Sequence, residues 1–167
     1  DTPARPLQSP RSADPAPAAP QRPEKLRILF MNDNASIQET WDDLFKSDYG
    51  SSVEYELVVS NGFYTANAIL EQRAFDLVIF DLMAPGTNKK AEFYTHLQRV
   101  PFIEIISGLL EETAADRVQL EGEGVPQDIA IKARLRSTEN IWTGLDEIVG
   151  YREKQIALYE CALTAWN

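Results

Sequence analysis

From Lys25 onward the chain alternates short apolar runs with amphipathic segments, and no other feature restricts its possible folds as strongly. The runs "LRILFM" (26–31), "VEYELVV" (53–59), "FDLVIF" (75–80), "FIEIIS" (102–107) and "QDIAIK" (127–132) each have strand length, and four of them are rich in Ile, Val or Phe. Between them, "ASIQETWDDLFKS" places Ile37, Trp41, Leu44 and Phe45 at helical spacing, and "TANAILEQR" places Ala66, Ile69 and Leu70 likewise. "AEFYTHLQRV" sets Phe93 and Leu97 four apart, while "EETAADRVQLEGEG" opens with acids suited to a helix N-terminus and closes near glycines suited to its end. Strand and helix in strict alternation predict right-handed βαβ units, hence an α/β, doubly wound, five-stranded parallel sheet covered on both faces. In such sheets the functional site lies at the carboxyl ends of the strands.

The flanks and the composition set further limits. Seven of the 10 prolines (Pro3, Pro6, Pro10, Pro15, Pro17, Pro20 and Pro23) fall in residues 1–24, which hold one leucine and no aromatic residue. Such a segment buries too little apolar area to offset its ordering entropy and reads as a disordered, polyproline-like linker. The formal net charge of -10 argues against a direct nucleic-acid surface or an anionic membrane patch, since both need a basic face. The single cysteine, Cys161, cannot form an internal disulfide, and no apolar run reaches membrane-spanning length, which fits a cytoplasmic setting. With Asp1 at its start and no apolar leader, the chain reads as a fragment or a processed form. Residues 25–154 would form the domain, and 155–167 a helical extension.

The strand ends make a short list. The first run ends at Asn32 and Asp33, the second at Ser60 and Asn61, the third at Asp81, the fourth at Ser107 and Gly108, and the fifth at Lys132. In a flavodoxin-like strand order, Asp33, Asp81, Ser107 and Lys132 meet around one crevice. Two neighbouring carboxylates raise each other's pKa unless a cation lies between them, and oxygen ligands suit Mg²⁺. The same set suits phosphoryl transfer, with Asp81 as nucleophile, the Lys132 ammonium stabilising charge on the transferring oxygens, and the Ser107 hydroxyl donating to one of them.

These residues resemble the receiver domains of two-component response regulators, over roughly Lys25 to Lys154. The resemblance implies that Asp81 is the phosphoacceptor, that Asp33, Asp81 and the Met83 carbonyl hold Mg²⁺, that Pro85 belongs to the loop after the acceptor, and that Ser107, Gly108 and Lys132 read the phosphoryl group. It implies a histidine kinase or hybrid kinase as donor, an output domain or protein partner, and no enzymatic turnover beyond self-phosphorylation and self-dephosphorylation. Three positions depart from the pattern. Asn32 replaces the first acid of the acidic pair, which implies weak Mg²⁺ binding; Ile129 replaces the switch aromatic; Ala133 replaces the proline after the lysine. A degenerate pseudo-receiver, acting as a phosphorylation-independent interaction or dimerisation module, is the alternative. A haloacid-dehalogenase-type phosphohydrolase is remote, because "FMNDNAS" lacks the Asp-x-Asp arrangement, and "NDNASIQ" has no glycine for a nucleotide loop.

The C-terminal stretch carries a second pattern. Trp142, Val149, Ile156 and Leu163 recur every seven residues, with Leu145, Tyr159 and Trp166 in the companion series, which Arg152 interrupts. The helix either folds back on its own domain or projects beyond it, as a homodimer seam or a lead into an output domain, with a break or bend near Gly150. His96, the one histidine, reads as a surface residue of a helix.

Overall fold

Among the described residues, five parallel strands form the framework: β1 Leu26–Met31, β2 Tyr55–Ser60, β3 Leu77–Asp81, β4 Phe102–Ile106 and β5 Ala133–Arg136, in the order β2-β1-β3-β4-β5. The computed structural model describes residues 18–49, 53–107, 110, 116–137 and 141–167. The proline-rich stretch through Pro17, the Gly108 position and the Leu44, Phe45 and Trp142 side chains lie outside the described residues. Among the described residues, six helices accompany the strands: α1 Ala35–Tyr49, α2 Phe63–Gln72, α3 Lys90–Leu97, α4 Asp116–Gly122, α5 Gln127–Lys132 and α6 Ile141–Trp166. A 3-10 turn, Thr87–Lys89, leads into α3.

Strand alternation divides the core into two layers. Leu29, Met31, Val78, Phe80, Ile103, Ile105, Ala133 and Leu135 face one way, against Phe63, Ala66 and Leu70 of α2, Phe93 and Leu97 of α3, Leu120 of α4, and Ile129 and Ala130 of α5. Leu26, Ile28, Phe30, Leu77, Ile79 and Ile106 face the other way, against Trp41 of α1 and Leu145, Ile148 and Val149 of α6. Phe80 meets the Phe93 ring edge-on at 4.9 Å, and Phe30 stacks on Trp41 at 5.1 Å. Burial on both faces explains why the central strands read as continuous apolar runs.

One expected strand proves to be a helix. Residues 127–132 form α5, which starts behind Pro126 and buries Ile129 and Ala130. The fifth strand is "ARLR", 133–136, where only Ala133 and Leu135 face the core and Arg134 is exposed. It lies at the sheet edge beside β4, where one polar face is tolerated.

Helix α6 runs unbroken through Gly150, so the expected interruption there is absent. At about 1.5 Å per residue it spans roughly 39 Å, longer than the sheet it covers. Glycine at 150 costs on the order of 1 kcal/mol, and burial of the adjoining Ile148, Val149 and Arg152 outweighs that. The Arg152 side chain is only 9% exposed and donates to Asp76 Oδ1 at 3.1 Å and to the Glu24 carbonyl. Asp76 Oδ2 in turn accepts the Arg27 amide at 2.9 Å. A break in an apolar series has thereby become the tie between α6 and the amino-terminal edge of β1 and β3.

The loops at the opposite edge are held by a close approach. Phe63 donates its amide to the Pro85 carbonyl at 3.0 Å, and a Cβ on Gly62 would lie 2.6 Å from that oxygen. Gly62 has extended backbone that any residue adopts, so proximity, not conformation, requires glycine.

Replacing Arg152 with Met should lower unfolding free energy by about 2 kcal/mol, because Asp76 keeps its charge and loses its cation; urea denaturation checks this. Gly62→Ala should cost about 2 kcal/mol through overpacking, and amide spectra should show changes centred on residues 84–86.

Candidate functional site

The site is built by the register of the central strands. Phe30 pairs with Ile79 and Met31 with Phe80, so Asn32 and Asp81 stand level one step beyond, on strands about 4.8 Å apart. Asp81 pairs with Ile106, and Ile106 with Arg136, so the ends of β3, β4 and β5 form one row. The sequence points to Asp33, Asp81, Ser107 and Lys132 around one crevice, and the structure brings the first three, together with Asn32, to this carboxyl edge.

Local turns then aim the side chains. Asn32 is buried, and its Oδ1 accepts the Asn34 amide at 2.8 Å. Asn34 caps α1, its Oδ1 accepting the amides of Ser36 and Ile37 at 3.0 and 3.3 Å. Gln38 reaches back from α1, donating to the Asn32 carbonyl at 2.5 Å and to Asn61 Oδ1 at 3.2 Å. Asp33 is thus left exposed at the tip of a fixed turn. Asp81 is half-buried, and its Oδ1 accepts the Met83 amide at 2.9 Å, a tight turn that leads into Pro85. Ser107 is buried immediately after β4.

Lys132 lies elsewhere. It ends α5, ahead of β5, and its Nζ donates to the carbonyls of Leu97, Gln98 and Val100 at 2.9, 3.1 and 2.8 Å. These carbonyls lie between α3 and β4, on the edge of the sheet opposite Asp81. Burial pushes the Lys132 pKa down, and nearby Asp128 raises it in part. Lys132 is therefore a cap for the end of α3, not a reader of phosphate. The two departures counted from it move as well. Ile129 packs into the core from α5 instead of standing on the fifth strand, and Ala133 opens β5 instead of following its last residue.

The cation at the true end of β5 is Arg136, which sequence reasoning missed. Its side chain is 15% exposed, and its Nε lies 3.8 Å from Oε1 of Glu104, a buried carboxylate in the middle of β4. Three positions before Arg136 stands Ala133, too small for an aromatic switch, and Ser137 follows. No cis peptide bond occurs among the described residues. Two signals could have located this strand: Pro126 followed by Asp128, which marks a helix start, and the alternating "ARLR", which marks an edge strand.

As a cation site, the crevice offers the exposed Asp33 carboxylate, the second oxygen of Asp81 and main-chain carbonyls. Oxygen donors of this kind fit Mg²⁺. Asn32, whose Oδ1 is already committed to a backbone amide, adds no negative charge.

No protein-family model matches the chain. Among curated proteins, it is 22% identical over 117 residues to protein-glutamate methylesterase/protein-glutamine glutaminase 2 of Rhodospirillum rubrum, a match covering 70% of this chain and 31% of the relative. The chain thus spans about a third of that protein. Among solved structures, the CheY-like response regulator receiver domain of Methanospirillum hungatei matches with a TM-score of 0.54 at 16% identity, covering 79% of this chain and 99% of its own. The signal receiver domain of an HD domain-containing protein from Pseudomonas fluorescens gives 0.55 at 16%, with 78% and 99% covered. The response regulator domain of Thermotoga maritima CheB gives 0.53 at 16%, with 78% and 98% covered. Among the described residues, no helix is long and apolar enough to cross a membrane. Sheet order, an acid at the end of the central strand and these likenesses agree: the chain has the fold of a response-regulator receiver domain.

Proposed function

We propose that this domain works in the cytoplasm, receives a phosphoryl group on Asp81 from a histidine kinase or hybrid kinase and passes the change to an output domain or protein partner. The observation that carries this reading is the row of strand ends, with Asp81 level with Asn32 on one side and with Ile106 and Arg136 on the other. An Asp81 carboxylate oxygen attacks phosphorus and forms a mixed anhydride, while the donor's bond to phosphorus breaks and the donor keeps its electron pair. Mg²⁺, held by Asp33, Asp81 and the Met83 carbonyl, would supply positive charge for the phosphoryl oxygens. Ser107 donates its hydroxyl to one of those oxygens, and Arg136 takes the part that the sequence assigns to Lys132. A guanidinium offers two parallel donors to phosphate, so the exchange changes geometry and keeps the charge.

One observation favours the second reading, a phosphorylation-independent interaction module. Arg136 is engaged by Glu104, and Asn32 has turned its oxygen to its own loop, so part of the machinery is tied up inside the protein.

The two readings part in one experiment. With Mg²⁺ and acetyl phosphate, the wild-type chain should acquire an acid-stable, base-labile phosphate, Asp81→Asn none, and Arg136→Gln should acquire it roughly a hundredfold more slowly. If neither the phosphate nor beryllofluoride is taken up by wild type, the interaction module stands in its place.

For the partner surface we propose a second copy of the chain along the far end of α6. Ile156, Tyr159, Leu163 and Trp166 continue the 3-4 spacing of a coiled-coil seam beyond the Arg152 tie, the first three half-buried and Trp166 49% exposed. Sedimentation should show a concentration-dependent dimer for the full chain and a monomer for residues 1–154; equal masses would remove the seam.

A further inference from the structure

His96 does not stand alone on the surface. It is half-buried on α3, one turn after Glu92 and across from Glu71 of α2. One ligand atom from each of Glu71, Glu92 and His96 lies within 4.8 Å of the other two. First-row metals bind imidazole nitrogen and carboxylate oxygen at roughly 2.0–2.2 Å, which sets tetrahedral ligand atoms about 3.5 Å apart, so small side-chain rotations close this trio on one ion. Two further features set this trio apart from an ordinary acidic surface. His96 Nε2 is shielded from solvent and has no hydrogen-bond partner among the described residues. A cavity of about 200 Å³ opens beside His96 and Glu71, lined also by Arg73, Phe75 and Arg99, among others.

We propose that Glu71, Glu92 and His96 form a divalent transition-metal site, of the Zn²⁺ class, that clamps α2 to α3. Imidazole with two carboxylates selects a borderline ion over Mg²⁺, which demands oxygen ligands, so this site and the Asp81 crevice take different metals. Three protein ligands leave a position for water or for a ligand from the cavity. Glu92 also lies 3.8 Å from Lys89 Nζ, an exposed pair that an ion readily displaces. The ion's main competitor is Arg99, whose Nη2 sits 3.2 Å from His96 Nδ1 and 3.4 Å from the Leu70 carbonyl. Binding through Nε2 puts the imidazole proton on Nδ1, which ends the contact with Arg99 and leaves that guanidinium to Leu70.

Because the chain has one histidine, its ring resonances report on the site directly. Titration of the full chain with Zn²⁺ should shift the His96 ring nitrogens, and Co²⁺ should give visible absorption bands. Glu71→Gln and Glu92→Gln, which keep size and shape, should each weaken Zn²⁺ binding by roughly tenfold or more, since even an outer-shell partner is worth that much. Arg99→Gln should tighten it, whereas Asp81→Asn and Cys161→Ser should leave it unchanged. Ring signals that stay fixed through the Zn²⁺ titration overturn the site. So does Zn²⁺ binding that is lost with Asp81 or Cys161 and kept in Glu71→Gln.

Discussion

Everything at the candidate site depends on the parallel ladder of β1, β3 and β4. Hydrogen bonding between strands fixes register, and burial on both faces forbids a one-residue slip, since such a slip would turn Phe80 and Ile105 out of one layer and Ile79 and Ile106 out of the other. With the register fixed, the position of Asp81 is no longer a property of its loop. It is set by three hydrophobic strands, and the turns that follow only refine the direction of the carboxylate. The Met83 amide supplies that refinement, as the Asn34 amide does for Asn32.

How much of this was legible in the sequence follows from how strongly each segment is buried. The first four strands and their helices could be read because buried strands must be apolar throughout, and "FDLVIFD" shows both the run and the acid that ends it. Asn32, Asp33, Asp81 and Ser107 followed from those ends. The fifth strand was hidden for the converse reason. As an edge strand with one open face, "ARLR" needs only Ala133 and Leu135 inside, so the more apolar "QDIAIK" beside it looks like the better strand. The displacement is only four residues, yet it carries Lys132 to the wrong edge of the sheet and conceals Arg136. Charge that is paired inside a fold leaves no periodic trace: nothing in the sequence marks Glu104 and Arg136, or Asp76 and Arg152, as partners.

Arginines at two ends of the sheet have settled into opposite circumstances. Arg152 meets Asp76, which is itself partly open to water, and a main-chain carbonyl, so its charge is compensated at modest desolvation cost. Arg136 meets a carboxylate buried mid-strand, so a phosphoryl group arriving at Asp81 would compete with Glu104 for the guanidinium. A change of partner there would alter charge beneath α6, because Glu104 shares a sheet face with Ile79 and Ile106, which that helix helps to cover.

The tie between Asp76 and Arg152 has a mechanical meaning. Asp76 immediately precedes β3, and Asp81 is the last residue of the same strand. One stiff rod of about 16 Å therefore has the acid of the crevice at one tip and the fulcrum of the longest helix at the other. A small tilt of that rod would be magnified by the lever arm of α6 beyond Arg152, roughly 20 Å to Trp166, so a sub-ångström displacement at the root becomes a larger sweep at the tip.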